Sequence, residues 1–113
     1  MNKFVPINRL LELPKLIKRA EDDVIEVYDN MISAKEALDE LEAKLLLGQH
    51  SIKIDGKSAE QRQAQVFQAT ESERRVLATD ERALAVKKAE LHRLQNELKA
   101  YRAAVSLTTG EAV

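Results

Sequence analysis

The side chains with the most chemistry to offer are two histidines, His50 and His92, set among nineteen carboxylates and eighteen lysines and arginines in 113 residues. A metal-binding histidine on a helix keeps company at fixed spacing, as in Glu-x-x-His or His-Glu-x-x-His. His92 has no Glu or His three or four residues away, and His50 reads as an exposed loop residue. There is no cysteine, which excludes thiol nucleophiles, disulfides, Cys-based zinc sites and iron–sulfur ligation. Gly48, Gly56 and Gly110 are isolated, so no glycine-rich loop cradles a phosphate. No Ser–His–acid or paired-carboxylate constellation follows from spacing. The expectation is a non-enzymatic protein with no cofactor and no metal.

The remaining chemistry is that of charge. Lys53, Lys57 and Arg62 cluster in sequence, Arg74, Arg75 and Arg82 follow, and Lys87, Lys88 and Arg93 come later. Phosphate contacts need such cations on a shared face. Arg75, Arg82 and Arg93 fall roughly on one side of a helix, and Arg74 and Lys88 on another, but acids at 71, 73, 80, 81 and 90 interrupt both rows. Aromatic platforms for single strands are lacking, since Phe67 and Tyr101 read as core. Ordinary helix solubility is the favoured explanation of these charges, ahead of nucleic-acid binding.

The elements that carry these residues are long helices. Charged residues make up 33% of the chain and aromatics 4%, with three glycines and two prolines, which is a long-helix composition with a thin core. In the first half, Leu10, Leu13, Ile17, Ala20, Val24, Val27, Met31, Ala34, Leu38, Leu41 and Leu45 alternate at +3 and +4. That is the seam of a coiled coil or bundle helix. Leu16, Ile25, Ile32 and Leu46 widen the stripe, which favours a multi-helix bundle.

An interior proline costs about 3 kcal/mol. The simplest first helix therefore starts at Pro14 and runs to about residue 47, behind a short helix over 9–13; a kinked continuous helix is the alternative. Gly48 reads as its terminator.

Ser58-Ala59-Glu60-Gln61 is a capping box that starts a second helix over 58–107, with a loose tail at 108–113. Its seam is Val66, Thr70, Glu73, Leu77, Asp80, Leu84, Lys87, Leu91, Leu94, Leu98, Tyr101 and Val105. The polar members admit two readings. In the favoured one this stretch is partly exposed, or the helix turns so that Phe67, Ala69, Val76, Ala78, Ala83, Ala85 and Val86 face inward. In the other, Glu73, Asp80 and Lys87 set register or bind a partner. Between the helices, Ser51-Ile52-Lys53-Ile54 alternates like a short strand and Asp55-Gly56 is a turn pair. The two isoleucines either plug the end of the core or form an edge strand for another chain.

The expected fold is all-α: one domain, a long antiparallel helical hairpin with a strand-like tip at 51–54, associating into a bundle. The seam residues Leu10, Leu13, Ile17, Val24, Val27, Met31, Leu38, Leu41, Leu45, Leu84, Leu91, Leu94, Leu98 and Tyr101 are the candidates for assembly, a symmetric dimer being simplest. Ile52, Lys53, Ile54, Lys57, Arg62, Arg74, Arg75 and Arg82 are the candidate contacts for a protein or nucleic-acid partner. Net charge is uneven: residues 1–19 carry five bases against Glu12, residues 20–48 nine acids against Lys35 and Lys44, and residues 58–102 nine bases against seven acids. The two helices therefore attract. No stretch approaches the about 18 apolar residues of a membrane span, and the N-terminus lacks a signal-peptide pattern. A cytoplasmic protein is expected.

The stretch Asp55-Gly56-Lys57-Ser58-Ala59-Glu60-Gln61-Arg62-Gln63-Ala64 resembles a pattern in small helical proteins of bacterial phages and prophages. In these a leading helix precedes a G-K-[N/S]-A-E-x-R-like segment and a long helix rich in Glu, Arg, Ala and Leu. The matching positions are Gly56, Lys57, Ser58, Ala59, Glu60 and Arg62, and the likeness covers about the second half of the chain. It implies a phage-encoded accessory protein, a companion of recombination or replication genes or a modulator of host machinery, working in the host cytoplasm. No site residue carries over. The leading expectation is a protein-binding adaptor; a nucleic-acid-binding accessory comes second and a virion or scaffold component third.

Overall fold

The computed structural model describes residues 6–109. The described residues form an all-α helical hairpin of three helices: α1 (Ile7–Leu46), α2 (Ala59–Ala69) and α3 (Glu71–Thr109). No strand occurs among the described residues. The expected tail begins inside α3, and residues 110–113 lie outside the described residues. Among the described residues no helix is long and apolar enough to cross a membrane.

The heptad phase decides which face is covered. None of the eleven seam positions of α1 is exposed in the single chain, while Ile25 and Leu46 beside the seam are. α1 also runs unbroken through Pro14, so the main helix does not start there. Pro14 removes one ladder hydrogen bond. Contacts on both sides of it offset that loss: Leu13 is fully buried, Ile17 packs nearby, and Arg9 makes two hydrogen bonds to Glu97, at 2.6 and 2.8 Å.

The same rule decides the second seam: the helix does not turn Phe67, Val76 and Val86 inward. Phe67, Val76 and Val86 are exposed, whereas Thr70 is buried and Glu73, Asp80 and Lys87 are half-buried. The helix keeps its strict phase because Leu77, Leu84, Leu91 and Leu94 anchor it. The polar residues follow that phase inward, and Lys87 lies 3.8 Å from both Asp23 of α1 and Glu90.

Two compact units make up the chain. In one, the start of α1 up to residue 26 lies against α3 from residue 85 on. Arg9 meets Glu97 and Asp23 meets Lys87, so the two segments run antiparallel. Leu13, Ala20 and Leu94 form its core, with Leu16, Ile17, Leu91, Leu98 and Tyr101 packed around them. The other unit spans residues 27–84: the rest of α1, the connecting loop, α2 and the start of α3. Its buried side chains are Leu38, Leu45, Leu84 and Thr70.

Candidate interaction surface at the helix reversal

α1 stops at Gly48, which has φ of 71°, a conformation glycine adopts without strain. The Gly48 N–H donates to the Leu45 carbonyl (3.3 Å) and the Gln49 N–H to that of Lys44 (2.8 Å). This is the paired closure of a Schellman cap. The loop that follows is held at Ile52 and from Asp55 to Ser58. The Ile52 N–H donates to His50 Nδ1 at 3.0 Å. Gln65 of α2 reaches back twice: its Oε1 accepts from the Gly56 N–H (2.8 Å) and its Nε2 donates to Asp55 Oδ1 (2.7 Å). Gln61 Oε1 accepts from the Lys57 N–H (2.8 Å) and, more weakly, from that of Ser58 (3.4 Å). Ser58 Oγ accepts from the Gln61 N–H at 3.1 Å, completing the capping box. Arg62 donates to the Gly56 carbonyl at 3.1 Å.

Gly56 serves close approach rather than an unusual turn. A Cβ there would stand 2.8 Å from the Gln61 Cβ and 2.9 Å from the Arg62 nitrogen. The expected strand at 51–54 is not formed in the single chain, where no second strand faces it and the Ile52 N–H is taken by His50. The plug is not formed as expected either. Ile54 is half-buried, but Ile52 is 47% exposed.

A second feature escaped the sequence reading. The expected single helix is divided at Thr70, which is only 1% exposed. Its hydroxyl donates to the Val66 carbonyl (2.8 Å) and accepts from Arg74 Nε (3.2 Å). Such back-bonding by threonine bends helices. The Phe67 carbonyl accepts a hydrogen bond from the Arg74 guanidinium, whose carbon also lies 3.3 Å from the centre of the Phe67 ring. Phe67 is therefore no core residue. It is 63% exposed, held beneath a cation. A Thr–Arg pair four apart just after an aromatic was the signal available for this break.

Beside it an open groove of about 390 Å³ lies between the end of α1 and α2. Leu46, Val66 and Phe67 supply apolar lining, Glu42 stands on the α1 side, and Arg62 and Arg74 stand on the other. A second open depression, of about 350 Å³, is lined by Ile52, Lys53, Gln65, Gln68 and Ala69. The sequence-derived contacts thus divide into groups. Ile52, Lys53 and Lys57 are displayed on the loop, with Ile54 half turned in. Arg62 and Arg74 border the groove. Arg75 is bound to Glu71 at 2.6 Å, and Arg82 stands exposed further along α3. Arg75 is paired with an acid, while Arg74 is held by the neutral Thr70 hydroxyl and Phe67 carbonyl and keeps its charge. Among the described residues no three His, Asp or Glu side chains gather so as to hold a metal ion. Compared with protein-family models, curated proteins and solved structures, the chain matches none of them.

Proposed function

We propose that this chain is a non-enzymatic adaptor that works by binding another protein, with the loop over 48–58 as its recognition element. The observation that carries this reading is the contrast within that loop. Side chains of His50, Gln61, Gln65 and Arg62 pin its backbone, yet they leave Ile52 nearly half exposed beside Lys53. An apolar side chain held ready on an ordered loop binds with little further loss of entropy. Lys53 and Lys57 flank it and favour an acidic partner surface. The likeness of residues 55–64 to phage accessory proteins supports a setting in phage recombination, replication or host takeover, in the host cytoplasm.

The test is a photo-crosslinking amino acid placed at Ile52 and, as control, at the exposed Lys35 of α1. The reading expects a discrete protein adduct from position 52 alone. Equal adducts from both positions, or none, would overturn it.

A second reading, nucleic-acid binding, is favoured by one observation: Lys53, Lys57, Arg62 and Arg82 have no ion pair among the described residues. A gel shift that weakens steeply with salt would support it, and no shift at low salt would remove it.

A further inference from the structure

Beyond the loop, we propose that the groove along α2 is a self-association surface, occupied by a second copy of this chain about a two-fold axis. The first ground is α2 itself. It has eleven residues, none of them buried in the single chain. Helices shorter than about 12–15 residues are marginal in water without packing. The α2 face that borders the groove, Arg62, Gln63, Val66 and Phe67, follows helical spacing, and beside it Leu46 of α1 is 66% exposed.

The second ground is the thinness of the unit. Over residues 27–84 six large apolar side chains are exposed: Tyr28, Leu46, Leu47, Ile52, Phe67 and Val76. Three apolar side chains, Leu38, Leu45 and Leu84, are buried there. Small cores of this kind are commonly completed by oligomerisation. No seam position of α1 is exposed in the single chain, so the side chains most in need of cover lie on another face.

The third ground identifies the occupant. Glu42 on one rim and Arg62 and Arg74 on the other have no ion-pair partner among the described residues. In a two-fold contact, if residue i meets residue j then j meets i. Each copy's Glu42 then meets the other copy's arginine rim, twice over, and the apolar floors close between them. A foreign partner would have to supply both signs; this chain carries them. Phe67, fixed by its stack with Arg74, is the kind of ordered aromatic that anchors interfaces.

The experiment measures solution mass by sedimentation for the wild type, Glu42→Arg, Arg62→Glu and an equimolar mixture of the two variants, with helicity checked for each. The wild type is expected at twice the 12.7 kDa of one chain at micromolar concentration. Each variant alone faces like charges across the axis and falls to the mass of one chain. The mixture places Arg opposite Glu at one contact and keeps the native pair at the other, and it returns to the dimer mass. Restoration in a mixture cannot arise from contacts within one chain. Phe67→Ser, at an exposed position, gives an independent loss of the dimer should a charge variant lose helicity. A wild type of single-chain mass, a mass that no variant changes, or a mixture of folded variants that stays monomeric would each overturn the proposal. The loop reading would survive any of these, since its cross-link is read elsewhere.

Discussion

Truncating Leu13 to alanine probes the rule by which this chain chooses its buried face. Leu13 is 0% exposed and sits in a cluster with Ala20 and Leu94, with Tyr101 and four further apolar side chains packed around it. Burying and then deleting such a leucine costs about 2–5 kcal/mol, depending on how far the site collapses. A unit of two helix segments can close up in part, which places Leu13→Ala near the lower end, about 2–3 kcal/mol. At about 4–8 °C per kcal/mol for a small domain, the melting temperature falls by about 10–20 °C. Leu11, two residues earlier on the same helix, is 68% exposed. Leu11→Ala should stay within about 0.5 kcal/mol of the wild type. Both melts are followed by far-ultraviolet circular dichroism at one protein concentration, because association would otherwise shift the curves. Equal shifts for the two substitutions would refute the argument that the heptad phase selects the core.

Gly56→Ala should destabilise the fold by about 1–3 kcal/mol, as overpacking does, because the new Cβ meets backbone of α2 rather than a flexible side-chain end; urea unfolding measures it. Glu97 gives a pH prediction. Its hydrogen bonds from Arg9, then the charge of Arg9 and a hydrogen bond with Tyr101, hold its carboxyl below the ordinary value of 4.5. A lowered folded value means stability that is present above the ordinary value and lost as pH falls through the folded one. Glu97→Gln should therefore be less stable than the wild type near neutral pH, and melts across a pH series should show that difference vanish in acid. A constant difference at all pH values would contradict the Arg9–Glu97 pairing.

Much of the scaffold was legible because it rests on repetition. Eleven apolar positions at one spacing fix the inner face of α1, and Gly48 and the Ser58–Gln61 box mark the ends of the loop. Individual hydrogen bonds were not legible. The break at Thr70 carries no glycine or proline; there the threonine hydroxyl adds a second bond to the Val66 carbonyl and the Arg74 guanidinium takes the Phe67 carbonyl. Pro14 looked like a boundary because its local penalty is visible, whereas the packing of Leu13 and the Arg9–Glu97 contact that offset it are long-range. The alternation of Ser51 to Ile54 suggested a strand, but alternation forms a strand only where a partner edge exists. Gln65, which ties down Asp55 and Gly56, belongs to no motif and was invisible as a loop residue.

The most direct test of the central claim is the affinity of Ile52→Ser for the protein that cross-links at position 52, compared with the wild type. Because Ile52 is displayed rather than packed, its melting temperature should barely move, while binding weakens tenfold or more, about 1.4 kcal/mol. Unchanged affinity would contradict the account.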